Sequence, residues 1–282
     1  MEIKKIGVVG CGQMGGGIAQ VCAQSGYEVR VSEANQQFLD KGMAALKSGM
    51  ARNVERGRMT KEQMDGTLAH IHGTLNTGDF ADCDLVIEAV TENMELKKRI
   101  FADLDRVSPP HAILATNTSC LSIIDMAMAT KRPEKILGLH FFNPVPAMKL
   151  LEIVRTIATS PETLEAGRKF GASVGKQVVM AQDSPGFIVN RLLVPFILNA
   201  ARMLQDGIAT REDIDTGINL GLNHPMGPLT LADLIGLDTV LFIADGMYAE
   251  LKDPQYASPP LLRKMVTAGW LGRKTKKGFY SY

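Results

Sequence analysis

The sequence carries almost no excess charge: 31 lysines and arginines stand against 30 aspartates and glutamates, a formal net charge of +1. That balance excludes a whole-molecule field for nucleic acid or an anionic membrane surface, so a charged ligand has to be recognised locally. Cysteine is scarce as well. The four residues, Cys11, Cys22, Cys83 and Cys120, show neither metal-like spacing nor a CxxC pair, which argues against a metal centre or redox motif and for a reducing compartment. No apolar run is long enough to span a bilayer, and the first strand begins so near the N-terminus that no targeting segment is expected. The location expected is therefore cytoplasmic. Short internal repeats and low-complexity tracts are absent too, and 282 residues suffice for one large domain or two ordinary ones.

What is present is organised around Ile3 to Glu33. The apolar run Ile6 to Val9 leads into Gly10-Cys11-Gly12-Gln13-Met14-Gly15, and Ile18, Val21 and Cys22 recur at helical spacing before Gly26. The pattern predicts strand, tight turn and helix, then a second strand, Tyr27 to Val31, followed by Glu33. In a dinucleotide site Gly10 permits the turn, Gly12 admits a pyrophosphate close to the backbone, and Gly15 lets the helix pack on the sheet. The N–H groups at the helix start, around Gln13 and Met14, face the anion. Glu33 lies about 20 residues on, where an acid accepts hydrogen bonds from ribose hydroxyls and repels a 2′-phosphate, favouring NAD over NADP. A ligand-free βα turn is the competing reading.

Residues 36 to 56 read as a long helix ending in Arg52, Arg56 and Arg58, and Thr60 to Gln63 reads as a capping box opening a second helix. Together they form a helical hairpin; Arg52 and Arg56, one turn apart, suit either ligand phosphates or a solvated face. The buried strand Asp84 to Ala89 runs into Val90-Thr91-Glu92-Asn93, which places Glu92, Asn93 and Lys97 near the cofactor, because ligands bind beyond the carboxyl ends of such strands. A helix over Glu95 to Val107 follows. The strand Ala112 to Ala115 ends in Thr116-Asn117-Thr118-Ser119-Cys120, and Ile136 to Leu139 leads to His140-Phe141-Phe142-Asn143-Pro144. Leu150 to Val154 carries Glu152, and Gln177 to Ala181 closes the series. Alternating strands and helices imply a doubly wound, mostly parallel α/β sheet of Rossmann type.

Beyond Asp183-Ser184-Pro185-Gly186-Phe187 the pattern becomes helical, over 187–206, 211–219, 229–251 and 260–268. The organisation expected is a nucleotide-binding domain, 1–184, carrying the helical hairpin, and an all-helical domain, 185–282. Apolar stretches such as Leu192 to Leu198 would be buried on the first domain or on a second copy of the chain.

A dehydrogenase needs a base for the hydroxyl proton, while the cofactor takes the hydride. Of the five histidines, His140 ends a strand on the ligand side, with Glu152 on a neighbouring strand to hold its ring. A structural histidine is the alternative. Ser119 suits a hydroxyl donor to substrate or a helix cap; Asn190 suits a substrate contact or an interdomain hydrogen bond.

These stretches, with VGCGQMGGGIAQ, IEAVTENMELKK, ATNTSCLSI, GLHFFNPVPAMKLLEIV, DSPGFIVNRLLVP, ATREDIDTGINLGLNHPMGPLTLADLIGLD and GWLGRKTKKGFYSY, resemble the short-chain L-3-hydroxyacyl-CoA dehydrogenases, most of all the bacterial 3-hydroxybutyryl-CoA dehydrogenases. The resemblance spans nearly the whole chain. It implies reversible NAD-dependent oxidation of a 3-hydroxyacyl-CoA, with His140 as base and Glu152 as its partner. Ser119 and Asn190 would bind hydroxyl and thioester oxygens, and Asn143, Glu92 and Lys274 would line the cofactor site. Lys97 and the basic hairpin, notably Arg56, match the region that receives CoA, whose phosphates need cations. A homodimer through the helical domain is also implied. Glu33 stands where the family usually has Asp, Cys120 replaces a common serine, and Gly49 stands where some relatives have serine. A related dehydrogenase of small hydroxy or sugar acids, and a non-catalytic NAD-binding protein, are the competing functions.

Overall fold

The computed structural model describes residues 2–282. The chain divides after Asp183 into two compact units.

In the first unit the order is β1 (Lys5–Val9), α1 (Gln13–Gln24), β2 (Glu28–Ser32), α2 (Gln36–Glu55), α3 (Lys61–Ala69), β3 (Ile71–Thr74), β4 (Leu85–Glu88) and α4 (Met94–Val107). There follow β5 (Ile113–Thr116), α5 (Ile123–Ala127), β6 (Ile136–Phe141), β7 (Leu150–Arg155), α6 (Pro161–Ser173) and β8 (Gln177–Gln182). One sheet holds all eight strands in the order β3-β2-β1-β4-β5-β6-β7-β8. Every residue of β4, β5 and β6 is buried, as runs such as ILGLHF require in a sheet covered on both faces. All pairings are parallel except β6 with β7. The loop between those two is too short for a crossover helix, so the chain turns straight back.

Local chemistry sets the helix boundaries. Asn35 caps α2 by accepting from Phe38 N–H, and Thr60 and Gln63 form both halves of the capping box on α3. The order reverses between β1 and β4, and the turn after β1 opens at that switch point.

The second unit contains α7 (Val189–Gln205), α8 (Arg211–Gly221), α9 (Pro228–Ile235), α10 (Leu237–Leu251) and α11 (Pro260–Thr267). The single helix expected over 229–251 is two helices. Gly236, at φ +104°, breaks the run, and Leu237 N–H donates outside the helix to Leu271 C=O. Two buried aspartates tie the unit together. Asp215 accepts from Leu229 N–H and Thr230 N–H, and Asp233 from Phe279 N–H and Tyr280 N–H. Among the described residues no helix is long and apolar enough to cross a membrane.

Candidate active site

The glycine turn is shaped by close approach. Gly10 has φ +98°, and a Cβ there would lie 2.8 Å from Ala89 O; a Cβ on Gly15 would lie 1.8 Å from Gly10 O. Only glycine fits either position. Glu33 reaches back to this turn, where Oε1 accepts from Cys11 N–H at 2.7 Å and Oε2 from Ala34 N–H at 3.1 Å. The acid is thereby aimed at the rim of a cavity of about 550 Å³. Gly12, Gln13, Glu33, Lys41, Arg52 and Asn143 are among its lining residues, and Gln13 Nε2 donates to Asn143 Oδ1 at 3.0 Å. An open approach to the backbone at Gly12, where a Cβ would meet nothing within 4 Å, an oriented carboxylate and a cavity of ligand size together fit the adenosine and pyrophosphate of NAD.

Cys11 lies within this turn with its thiol buried. Burial, and then the nearby Glu33 carboxylate, push its pKa up to about 11.

His140 and Glu152 are directly opposite each other in the antiparallel β6–β7 pair. Imidazole Nδ1 and Glu152 Oε2 are 2.6 Å apart, and both side chains are buried. A carboxylate at Nδ1 fixes the tautomer with its proton there and stabilises positive charge on the ring. Asn117 Oδ1 accepts from Phe141 N–H, joining the end of β5 to the strand that carries the histidine.

A third group follows β4 and β5 at the same edge. Glu88 accepts from Val90 N–H, Lys97 Nζ and the Thr116 hydroxyl, at 2.6 to 2.7 Å. Glu92 accepts from the Thr118 hydroxyl at 2.7 Å and from Ser119 N–H at 2.8 Å, with Lys97 Nζ at 3.5 Å. Ser119 does not cap a helix, since α5 begins after Ser122 and its first N–H groups go to Asp183.

The strand-edge rule places Lys97 near the cofactor and the resemblance places it in the region that receives CoA; in the structure the side chain is 1% exposed, with Nζ paired to Glu88. Of the two hairpin arginines, Arg52 lines the cavity, while Arg56 is the exposed C-cap of α2 and does not. Met14 lies partly buried in the first turn of α1. In the helical unit, Asn190 lies in the first turn of α7, and Lys274 Nζ is paired with Asp238.

Residues 5–184 match the family model of the 3-hydroxyacyl-CoA dehydrogenase NAD binding domain, and residues 186–282 match that of the 3-hydroxyacyl-CoA dehydrogenase C-terminal domain. The chain belongs to the 3-hydroxyacyl-CoA dehydrogenase family. It is 49% identical to the 3-hydroxybutyryl-CoA dehydrogenase of Mycobacterium tuberculosis over 99% of both chains. It is 40% identical to the mitochondrial hydroxyacyl-coenzyme A dehydrogenase of Sus scrofa, over 99% of this chain and 91% of that one. The crystal structure of (S)-3-hydroxybutyryl-CoA dehydrogenase from Ralstonia eutropha superposes with a TM-score of 0.95 at 43% identity, over 100% of this chain and 99% of that one.

As a member of that family, the chain carries an NAD binding domain over residues 5–184. Glu88 and Lys41 are among the residues of this region that the sequence did not single out. Glu88 had a signal, because a carboxylate inside the buried strand LVIE must be paired. Lys41, which lines the cavity, had none beyond its place on a helix.

Proposed function

We propose that the protein catalyses the reversible, NAD-dependent oxidation of an (S)-3-hydroxyacyl-CoA, foremost 3-hydroxybutyryl-CoA, to the 3-ketoacyl-CoA. The observation that carries the reading is the buried His140–Glu152 pair on the sheet whose first turn forms the dinucleotide cradle.

Gly10, Gly12, Gly15, Glu33 and Asn143 would hold the cofactor, with Glu92 beside Ser119. When bound, NAD supplies the hydride acceptor for oxidation and the hydride donor for reduction. His140 takes the proton from the 3-hydroxyl, and Glu152 keeps the ring oriented and stabilises the imidazolium that results. Ser119 donates its hydroxyl to the substrate oxygen, its backbone held by Glu92. Asn190 is assigned to a substrate oxygen and Lys274 to the cofactor on the family resemblance. Arg52 and Arg56 are assigned to the phosphates of CoA, Arg52 with the further support of its place on the cavity wall.

A homodimer is part of this reading, supported by exposed apolar side chains on the helical unit, among them Leu192, Ile208 and Leu220. So is a cytoplasmic location, supported by four buried cysteine thiols, which suit a reducing compartment.

Purified protein mixed with NADH and acetoacetyl-CoA should consume the reduced nicotinamide absorbance. Turnover of free keto acids with none of the CoA ester would favour a small hydroxy-acid dehydrogenase. Tight NADH binding with no turnover of either would favour the non-catalytic reading.

A further inference from the structure

Lys176, immediately before β8, is a buried cation outside the site described above. Among the described residues no carboxylate pairs with it. Its Nζ donates instead to two carbonyls, Val145 O at 2.6 Å and Met148 O at 2.8 Å. Burial holds its pKa below the ordinary lysine value. A buried ammonium without a counter-ion is costly, so its hydrogen bonds must be well formed for it to persist.

Both carbonyls belong to the loop between β6 and β7. That loop links the strand bearing His140 to the strand bearing Glu152. It also builds one wall of the dinucleotide cavity, through Asn143, Pro144, Val145 and Pro146. Val145 is seated on α1, where a Cβ added at Gly17 would lie 2.9 Å from Val145 Cβ. On the same loop, Asn143 Oδ1 accepts from Gln13 at the start of α1.

We propose that Lys176 is a positioning residue for the cofactor: its ammonium fixes the 143–148 loop at the distance from α1 at which Asn143 and the glycine turn hold one dinucleotide. Lysine suits the task because it offers three rotatable donors on a long stem, whereas the planar guanidinium of arginine would displace the loop. The inference rests on NAD occupying this cavity and is independent of the acyl substrate.

The test compares Lys176→Met and Lys176→Arg with the wild-type chain, using NADH titration by fluorescence and steady-state kinetics with NADH and acetoacetyl-CoA. Lys176→Met is expected to weaken NADH binding about tenfold or more, with a smaller change in kcat and in KM for acetoacetyl-CoA, and Lys176→Arg to fall between it and wild type. Unchanged NADH affinity overturns the proposal. So does a proportional loss of NADH sites, acetoacetyl-CoA turnover and folded protein, which is the mark of a merely structural lysine. Should Lys176→Met fail to fold, Lys176→Arg decides, and wild-type NADH affinity in that variant overturns the proposal. Wild-type protein that binds NADH but leaves acetoacetyl-CoA unreduced contradicts the assigned reaction, and the NADH titrations still decide Lys176.

Discussion

His140 Nδ1 stands 2.6 Å from Glu152 Oε2, on residues facing each other across the antiparallel β6–β7 pair. The contact sets the proton on Nδ1 and leaves Nε2 as the basic nitrogen, which is the condition for a neutral imidazole to accept a hydroxyl proton. Glu152→Gln keeps the shape but replaces a carboxylate with an amide that can present an N–H to the ring. The variant is expected to bind NADH normally and to lose on the order of 10²- to 10⁴-fold in kcat, measured with saturating acetoacetyl-CoA. Wild-type kcat would remove Glu152 from its role.

Gly42 on α2 closes against the glycine turn, and a Cβ there would lie 2.3 Å from Cys11 O and 2.6 Å from Cys11 Sγ. Gly42→Ala must therefore push α2 away from the cavity. A loss of about 1–3 kcal/mol in stability by urea unfolding is expected, together with weaker NADH binding.

Glu33 accepts hydrogen bonds from Cys11 N–H and Ala34 N–H, so its charge is fixed at the cavity rim. Glu33→Gln is expected to weaken NADH binding by about 10- to 100-fold and to improve NADPH relative to NADH, since charge-assisted hydrogen bonds contribute about 1.5–3 kcal/mol and each 1.4 kcal/mol is tenfold. Parallel titrations with the two cofactors check both effects.

Glu88 and Lys97 form an ion pair with side chains 0% and 1% exposed. Lys97→Met alone leaves a buried carboxylate uncompensated and is expected to cost about 3–5 kcal/mol by chemical unfolding, whereas Glu88→Leu combined with Lys97→Met is expected to recover most of that loss. Equal destabilisation in the single and double variants would contradict a coupled pair.

Burial and Glu33 push the Cys11 pKa up to about 11, so its thiolate appears only as pH rises toward that value. At pH 8 about one thiol in a thousand is ionised, and alkylation is expected to be slow and to accelerate about tenfold per pH unit. Mass spectrometry of the labelled peptide reports the rate. Fast labelling independent of pH would contradict the buried setting.

The parts of this fold legible in the sequence are those encoded locally. Gly10 and Gly15 mark a turn because close approach excludes any Cβ, and Thr60 with Gln63 marks a helix start because their side chains meet the helix's own N–H groups. His140 was legible as a residue at the end of one strand and Glu152 as a residue within a neighbouring strand, both of suitable chemistry. Their register depends on the antiparallel return of β7 and becomes visible only once the strands pair.

Long-range partners account for what was not legible. Lys97 follows the carboxyl end of a strand, where ligands bind, and its pairing with the buried Glu88 arises from the packing of α4 on β4. Lys176 finds carbonyls on a loop that precedes it by an entire strand and helix, a relation no local pattern records. Gly236 lies inside a continuous apolar periodicity, and its positive φ, with the Leu237 N–H donated to Leu271 C=O, separates α9 from α10.

The most direct measurement is made on His140→Gln: NADH titration and acetoacetyl-CoA reduction in the same buffer. NADH affinity close to that of wild type with kcat lower by on the order of 10²- to 10⁴-fold is the result expected of a lost proton-transfer group. Wild-type turnover in that variant would contradict the assignment of His140 as the base.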